Sequence, residues 1–531
     1  MITFENLSFS YGDTKNLVLK NINLQINDGD FLGIIGSSGA GKTTLSYAVN
    51  GIIPHHYRGE YFGKVMVDDD DVFDTEPCML SMKIGSVFQD IDSQMTCATV
   101  EDEILFGMEN FGLSKEDTNE RLEWVLNEMG IEALREREIS GLSGGQKQKV
   151  AIASILALRP KILVLDEPTG ELDPTASRNI FRIVKELNKK FGLTVIVIEQ
   201  KIRLLCEFAD HLAFLEKGEI KFHGTVKDVL SHRDELSDLG LNHARVGKIL
   251  EALADGKSLA EIYTEELEKK EGSPSNQKQN QDELPDETRE PVLTLEKVSF
   301  GYDLNYIIED IDFTVYKGDF LALTGENGSG KSTLSKLMGG ILKPENGAVT
   351  ISGLDTKKTR NSVIARYVGF LFQNPDRQLC CYTIRDEIAF GLKALKLPDV
   401  ENRTDEILKR FNFDPEKAPF ALSRGQRQQL ALASIIAVHP EIMILDEPTT
   451  GLDYKECIEL MNAIKELNQN GTTVIMVCHD MEIVRDYAKR MVIVGHGSIL
   501  ADGNPLELVP VLEANSLKNI QYDTVENGGA K

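Results

Sequence analysis

Three kinds of short apolar run occur in both halves of the chain and predict buried β-strands. FLGIIG and FLALTG lead into glycine-rich loops, ILVLDE and IMILDE follow apolar helical segments, and TVIVIE and TVIMVC come next. The runs are nearly continuous in apolar residues and helical stretches separate them, which is typical of a mostly parallel sheet covered on both faces. The pattern therefore predicts an α/β fold.

The chain contains an internal duplication. Gly36–Thr43 recurs as Gly325–Ser332 at an offset of 289 residues, and Leu142–Gln146 recurs as Leu422–Gln426 at an offset of 280. The segment LDEPT also occurs twice, again at an offset of 280. Because the order is the same and the offset drifts slowly, we expect the 531 residues to hold two copies of one domain.

Composition between the repeats predicts where the domains end. Residues 271–291 are polar, contain proline and have almost no apolar residues, which is typical of a flexible linker. Residues 233–270 carry apolar residues at helical spacing, so they form either a helical tail of the first domain or a spacer. The predicted domains are residues 1–232 and 292–510, with a C-terminal tail over residues 511–531.

Overall composition narrows the possible functions. The formal net charge is −26, from 84 acidic and 58 basic residues, which argues against nucleic acid as the main partner. No apolar run approaches the roughly 20 residues needed to cross a bilayer, and the first residues resemble a strand rather than a signal peptide. The seven cysteines lack CxxC spacing, and adjacent Cys380 and Cys381 suit neither a zinc site nor an ordinary disulfide. Unpaired buried thiols are expected.

Both repeated loops match the pattern GxxxxGK[ST] between a predicted strand and a predicted helix. Glycines let backbone N–H groups close around phosphate oxygens, and the helix N-terminus favours negative charge. We expect Lys42 and Lys331 to reach the β- and γ-phosphates of ATP, and Thr43 and Ser332 to bind Mg²⁺. The predicted nucleotide-binding residues of the two loops are Gly36, Ser37, Ser38, Gly39, Ala40, Gly41, Lys42, Thr43, Thr44, Gly325, Glu326, Asn327, Gly328, Ser329, Gly330, Lys331, Ser332 and Thr333.

Two adjacent carboxylates end an apolar strand in each copy. Asp166 and Asp446 are placed to hold Mg²⁺, directly or through water. Glu167 and Glu447 are placed to polarise a water molecule for attack on the γ-phosphate. Because both copies carry the pair, an unrelated surface role explains it poorly. Asp68–Asp71, by contrast, falls at a turn between strands, where solvation rather than metal binding is expected.

A tyrosine stands near the start of each copy. Tyr11 follows Ser-Phe-Ser, and Tyr302 follows Ser-Phe-Gly. An aromatic ring at either position is suited to stack on adenine. A tyrosine that packs in the core or in a turn is the alternative.

The segment Leu142–Gln146, about 20 residues before ILVLDE, resembles the signature of ATP-binding cassette (ABC) domains. The resemblance covers nearly all of residues 1–230 and 292–510. It implies two tandem P-loop NTPase domains, each with a mostly parallel core sheet, an antiparallel β subdomain and a helical signature subdomain. It also implies an ATPase whose two domains pair head to tail, with ATP and Mg²⁺ between the phosphate loop of one and the signature of the other. The implied signature residues are Ser143, Gly144, Gly145, Gln146, Ser423, Gly425 and Gln426.

The same resemblance assigns roles to further residues. Gln89 and Gln373 match the Q-loop, which senses Mg²⁺ and contacts membrane partners. Asp173 and Asp453 match the D-loop. His479 matches the switch histidine, which in this family contacts the γ-phosphate.

The two ATP sites are predicted to be unequal. Aligning TVIVIEQK with TVIMVCHD puts Gln200 at the position of His479, and the second signature has Arg424 where the first has Gly144. Glutamine cannot carry a proton or charge as histidine can, so the site with Gln200 is expected to be slower. Equivalent sites that tolerate both changes are the alternative. With head-to-tail packing, the slower site would join Lys42, Asp166, Glu167 and Gln200 to Ser423, Arg424 and Gly425.

A finer resemblance follows each Q-loop glutamine. FQNPDRQ and IRDEIAFG in the second copy, with the looser FQDIDSQ and VEDEILFG in the first, resemble the ATPases of energy-coupling-factor importers. Those importers take up vitamins and transition metals. The implied partners are a transmembrane coupling protein and a substrate-binding membrane component, and the implied location is peripheral, at the cytoplasmic face of the cell membrane.

A soluble tandem-ABC ATPase that acts on ribosomes is the main alternative function. Such translation factors typically have a long, basic, helical linker and a signature that ends in Glu. Here the linker is short and acidic, and the first signature ends in Gln146. A DNA-repair ATPase would be expected to carry zinc clusters or a long coiled-coil insertion, and the sequence shows neither. The pattern favours an importer's energy module, without identifying its cargo.

Overall fold

The computed structural model describes residues 1–12, 16–37, 39–170, 172, 174–232, 235–236, 289–302, 306–452 and 454–509. The chain divides into two units, one for each repeat. Almost all of the predicted tail and linker, and the predicted C-terminal tail, lie outside the described residues. Ser38, Asp173 and Asp453 lie outside them as well.

The first unit is built on two sheets. Six strands in the order β10-β9-β3-β8-β7-β6 form the core sheet, and only β10 runs antiparallel to its neighbour. A second, antiparallel sheet has the order β2-β1-β4-β5. The strands are β1 Ile2–Tyr11, β2 Leu19–Ile26, β3 Phe31–Ile35, β4 Gly59–Val67, β5 Asp70–Asp71, β6 Ile84–Val87, β7 Ile162–Asp166, β8 Thr194–Ile198, β9 His211–Glu216 and β10 Glu219–Thr225.

Helices cover the core sheet and extend it on one side. Those after β6 and before β7 form the helical part that carries the first signature, and α5 packs on α7 there. The helices are α1 Lys42–Val49, α2 Ile52–His55, α3 Pro77–Leu80, α4 Ile91–Gln94, α5 Val100–Asn110, α6 Lys115–Met129, α7 Gly144–Leu156, α8 Pro174–Phe191, α9 Ile202–Phe208 and α10 Val226–Leu230.

The second unit repeats this architecture. Its core sheet has the order β16-β17-β18-β13-β19-β20, and its antiparallel sheet the order β12-β11-β14-β15. Its strands are β11 Pro291–Gly301, β12 Tyr306–Tyr316, β13 Phe320–Thr324, β14 Asn346–Ile351, β15 Leu354–Asp355, β16 Val368–Leu371, β17 Ile442–Asp446, β18 Thr473–Val477, β19 Arg490–Gly495 and β20 Ser498–Gly503. Its helices are α11 Lys331–Met338, α12 Asn361–Ile364, α13 Ile384–Ala394, α14 Val400–Phe411, α15 Arg424–Val438, α16 Tyr454–Gln469 and α17 Met481–Tyr487.

The continuous apolar runs form the central strands, as the pattern predicts. All five residues of β3, β7 and β8 are buried, and so are all five of β13, β17 and β18. These strands are parallel, so their carboxyl ends meet at one edge of each sheet. Polar residues that follow them are therefore brought together there, outside the apolar core.

Two details refine the sequence interpretation. The second unit begins before the predicted boundary, because Pro291 already belongs to β11 and Arg289 forms an ion pair with the buried Asp319 at 2.5 Å. Asp68–Asp71 does form a turn followed by a short strand, and Asp68 pairs with the N-terminal ammonium at 2.8 Å. Among the described residues, no helix is both long and apolar enough to span a bilayer.

A buried asparagine ties the last turn of one helix to the core sheet in each unit. Nδ2 of Asn468 donates to the carbonyl oxygens of Gly318, Asp319 and Thr472, at 3.0, 3.1 and 2.9 Å. Asn188 makes two such bonds in the first unit, at 2.8 and 2.7 Å. Removing the amide would leave buried carbonyl groups without a donor, which costs about 1–3 kcal/mol.

We expect Asn468→Ala to lower the urea midpoint for unfolding of the second unit. The carbonyl groups that lose their donor stay buried in the folded state, whereas water can hydrogen-bond to them in the unfolded chain. Asn470→Ala is the matched control, since Asn470 is exposed two residues further on and such surface changes usually stay within about 0.5 kcal/mol. Urea titrations followed by circular dichroism measure both. Equal midpoints for the two variants would contradict the assignment.

Candidate active site

Each glycine-rich loop begins at a position where only glycine fits. A Cβ atom on Gly36 would lie 2.1 Å from the carbonyl oxygen of Leu215, and one on Gly325 would lie 2.1 Å from that of Val494. These contacts are with backbone atoms, so no side-chain movement relieves them. The loop therefore passes tightly over the neighbouring strand before it enters α1 or α11.

The loop lysines are buried inside their own loops. Nζ of Lys42 donates to the carbonyl oxygens of Gly36 and Ser37, at 2.8 and 2.9 Å. The corresponding bonds of Lys331 measure 3.0 and 2.6 Å. The two lysines are only 7% and 5% exposed. Each positive charge is thus held at the N-terminus of a helix, where the phosphates are predicted to bind.

The aspartates that end β7 and β17 lie beside these loops. Oγ of Ser332 donates to Oδ1 of Asp446 at 3.2 Å. Burial and the neighbouring Glu447 carboxylate raise the pKa of Asp446 to about 6. Burial also raises the pKa of Asp166, against the opposing effects of Thr43 and Lys42. Both aspartates would therefore gain from a nearby cation.

Two amide side chains hold Glu167, the predicted catalytic glutamate of the first unit. Nε2 of Gln200 donates to Oε1 at 2.6 Å, and Nε2 of Gln89 donates to Oε2 at 2.7 Å. Burial raises the pKa of Glu167, and the nearby Glu199 carboxylate adds to the increase. The structure thus brings the predicted Q-loop glutamine and the predicted switch residue onto one carboxylate.

The second unit holds Glu447 with a different set of partners. Nε2 of Gln373 donates to Oε2 at 2.9 Å, and Oγ1 of Thr450 donates to the same atom at 3.2 Å. Nε2 of His479 lies 2.8 Å from Oε1. Burial alone would raise the pKa of Glu447, but the contact with His479 outweighs it and holds the pKa below its ordinary value. The two glutamates are therefore tuned in opposite directions.

A buried glutamate that the sequence analysis missed belongs to the first unit. Glu199 is 2% exposed and accepts a hydrogen bond from Thr169 Oγ1 at 2.5 Å. It also accepts the backbone N–H groups of Gln200 and Lys201, at 2.9 and 3.2 Å. The second unit has the buried Cys478 at this position. The alignment of TVIVIEQK with TVIMVCHD already pairs Glu199 with Cys478, one residue before the exchange of His479 for Gln200.

The signature segments form helix N-termini. Oγ of Ser143 accepts the backbone N–H of Gln146 at 3.4 Å, while Oε1 of Gln146 accepts that of Ser143 at 3.0 Å. Ser423 and Gln426 repeat this capping box at 3.2 Å in both bonds. The glutamine side chains thus stabilise the start of α7 and α15. This leaves the helix N-terminus and its glycines to face an anion.

An ion pair in each unit links the segment after the Q-loop to the signature helix. Nζ of Lys147 lies 2.6 Å from Oδ1 of Asp92, and Nε of Arg427 lies 2.6 Å from Oδ1 of Asp376. The two lysine and arginine positions follow the signature glutamines directly. These pairs were not predictable from the sequence, because the side chains are more than fifty residues apart and meet only in the fold.

The two tyrosines differ in environment. Tyr11 packs edge-on against Phe9 and Tyr57, with ring centroids 4.9 and 5.6 Å apart, and its hydroxyl lies 3.1 Å from Thr44 Oγ1. Tyr302 is 56% exposed. Tyr302 also packs edge-on against an aromatic ring, that of Phe300 at 5.2 Å, so the two tyrosines differ mainly in exposure, and adenine stacking by either ring stays a prediction.

The polar atoms at the sheet edge fit a magnesium–nucleotide ligand. Within the described ranges, buried Oδ1 of Asp166 and Oγ of Ser329 have no hydrogen-bond partner. Such atoms are costly to leave unsatisfied. Carboxylate and hydroxyl oxygens are ligands that Mg²⁺ prefers, and phosphate oxygens accept hydrogen bonds from hydroxyl and imidazole groups.

The fold and the site define a tandem P-loop ATPase. The sequence profile described as "ABC transporter" matches residues 19–170 and 308–450. A Caldanaerobacter subterraneus protein named as an ABC transporter ATP-binding protein is 38% identical over 514 residues, which cover 94% of this chain and 90% of the relative. A Bacillus subtilis protein named for HMP/thiamine import is 34% identical over 513 residues, with coverages of 96% and 92%.

The chain therefore belongs to the ABC transporter family. It is an ATPase, and its two cassettes are ATP-binding domains, as the signature segment predicts. A solved cassette from Clostridium perfringens, described as part of an ABC transporter complex, is 32% identical and covers 47% of this chain and 98% of that chain, with a TM-score of 0.41.

The opposite pKa shifts of the two glutamates predict different pH profiles. A glutamate that activates water must be ionised, so activity is lost as the pH falls through its pKa. The activity left in Glu447→Gln depends on Glu167, whose pKa is raised. The activity left in Glu167→Gln depends on Glu447, whose pKa is lowered. Between about pH 8 and pH 5, the first variant should therefore lose the larger fraction of its ATPase activity. Superimposable profiles would contradict this.

Proposed function

We propose that this protein is the ATP-hydrolysing energy module of an importer of the energy-coupling-factor type. The observation that carries the proposal is that one chain holds two separately complete sets of phosphate loop, carboxylates and signature helix. No described helix spans a membrane, so the translocation path would lie on other subunits. The relative named for HMP/thiamine import, which matches nearly the whole chain, favours a vitamin-type cargo over a metal ion.

In the proposed reaction, Lys331 and the loop N–H groups hold the phosphates of ATP. Bound Mg²⁺, held by Ser332 and Asp446, would supply charge neutralisation. Glu447, kept ionised by its contact with His479, accepts a proton from the attacking water. Gln373 keeps the carboxylate oriented. The same roles fall to Lys42, Thr43, Asp166, Glu167, Gln200 and Gln89 in the first cassette.

The signature segments complete the proposal. Each is a capped helix N-terminus whose serine hydroxyl and glycine N–H groups suit an anion. In the proposed head-to-tail pair, each would meet the γ-phosphate bound by the other cassette and stabilise its developing charge.

Arg424 distinguishes the two signatures. A Cβ atom on Gly451 would lie 3.0 Å from Arg424 Nε, so the arginine side chain lies against its own cassette. A Cβ atom on Gly144 would meet nothing closer than Leu172, at 3.6 Å. The first signature therefore keeps the more open approach. Together with Gln200, this supports unequal sites, with the slower one built on Lys42.

The test of unequal sites is a pair of matched variants. Glu447→Gln should remove nearly all ATP hydrolysis, because the site with His479 contributes most of the turnover. Glu167→Gln should leave a substantial fraction, because it disables only the slower site. Steady-state phosphate release measures both, with ATP binding as the control for a folded site. Equal losses would show that the sites are equivalent.

Membrane attachment is the test of the importer role. We expect the protein to sediment with membranes only when a coupling membrane protein is co-expressed, because the chain carries a net charge of −26 and anionic lipid repels it. Sedimentation with and without that partner, and with bare anionic liposomes, distinguishes protein from lipid attachment. Tight binding to bare liposomes would overturn the proposed mode of attachment, and binding to ribosomes instead would favour the translation-factor alternative.

A further inference from the structure

Two neighbouring thiols and a buried carboxylate meet in the segment that follows the second Q-loop. The Sγ atoms of Cys380 and Cys381 and a carboxylate oxygen of Glu387 all lie within 4.8 Å of one another. Glu387 is 4% exposed, whereas Cys380 is exposed and Cys381 half-buried. From their adjacency alone, the two cysteines were expected to suit no zinc site, because the sequence did not show the third ligand that the fold brings to them.

The carboxylate of Glu387 determines the shape of this segment. Its Oε2 atom accepts the backbone N–H groups of Cys380 and Cys381, at 2.9 and 2.7 Å. The chain is thereby folded over the carboxylate, which brings both thiols towards it. Both of these bonds end on Oε2, and the Cys381 thiol is itself within hydrogen-bonding reach of the Glu387 carboxylate.

The first cassette shows that this backbone arrangement does not require two thiols. There Oε2 of Glu103 accepts the backbone N–H groups of Thr96 and Cys97, at 2.9 and 2.8 Å. The fold of the segment is therefore the same with threonine in place of Cys380. The second thiol adds ligand chemistry that the local structure does not need.

We propose that Cys380, Cys381 and Glu387 form a binding site for a thiophilic divalent cation such as Zn²⁺. Zinc binds thiolate sulfur at about 2.3 Å and carboxylate oxygen at about 2.0–2.2 Å. In a tetrahedron with these bond lengths, ligand atoms lie about 3.5–3.8 Å apart, within the 4.8 Å limit that encloses the three atoms here. Three protein ligands leave the fourth position of a tetrahedron to water.

The local electrostatics favour such an ion. Burial raises the pKa of Cys381 to about 12, and the negative charges of Glu387 and Cys380 add to the increase. The same negative potential that disfavours a second thiolate stabilises a cation.

The site lies between two parts of the Q-loop region. Its two thiols come shortly after the turn Pro375–Arg377, which itself follows Gln373, and Glu387 lies in the first turn of α13. An ion that links Cys380 to Glu387 would restrain this turn, and with it the amide that orients Glu447. We therefore expect bound cation to slow ATP hydrolysis in the second cassette.

The experiment titrates the full-length, reduced protein with Cd²⁺, whose thiolate complexes absorb in the ultraviolet. The wild type should show one tight site with a cadmium–thiolate absorption band, and this ion should lower ATPase activity. Cys380→Thr should lose the tight site and the inhibition but keep its fold and basal activity, because threonine stands at the matching position of the first cassette. Cys97→Ser is the control and should retain both.

Several results would overturn the proposal. These are the absence of a tight cadmium band in the wild type, an equal band in Cys380→Thr, or a band that Cys97→Ser removes. Binding without inhibition would retain the cation site and refute its effect on the Q-loop. The binding measurement does not depend on transport or on a membrane partner, so its failure is distinguishable from failure of the proposed function.

Discussion

The burial of a glutamate at the end of a core strand is the constraint around which each cassette is organised. Glu167 and Glu447 follow fully buried strands, so each carboxylate has lost most of its water. An ionised group in that position requires replacement hydrogen bonds. The Q-loop glutamine, Gln89 or Gln373, supplies one such hydrogen bond in each cassette. This bond connects the Q-loop to the glutamate at the carboxyl end of the core strand. The cassettes differ in the side chain that contacts the other carboxylate oxygen, which is Gln200 in the first and His479 in the second.

That difference shows how a duplicated site can diverge without losing its parts. After β18, His479 contacts Glu447, whereas Gln200 and the buried Glu199 follow β8. In the first cassette, Lys201 donates hydrogen bonds to the carbonyl oxygens of Thr169 and Leu172, at 2.7 and 3.2 Å. The first site thus keeps a hydrogen bond to each oxygen of Glu167, whose pKa is raised.

Local patterns were enough to predict the parts of the structure that depend on short-range sequence. Continuous apolar runs gave the correct central strands, and the glycine loops lie at the predicted strand–helix junctions. Contacts between distant segments were not predictable in this way. Examples are the pair of Asp376 with Arg427 and the position of Glu387 beneath two cysteines. The expectation of buried thiols was wrong for Cys78 and Cys380, which are exposed. Apolar neighbours such as Met79 and Leu379 do not show whether the side chain beside them points into the core.

The ion pairs between the Q-loop segment and the signature helix have a mechanical consequence. Their carboxylates, Asp92 and Asp376, are 74% and 43% exposed, and such pairs contribute roughly 0–1 kcal/mol. That is comparable with thermal energy, so each link would open and close many times within one catalytic cycle. The pair would therefore couple the two segments weakly: it would transmit small displacements from one to the other and break when the displacement is large. Higher ionic strength would weaken the ion pair by screening its charges, and would so weaken this coupling.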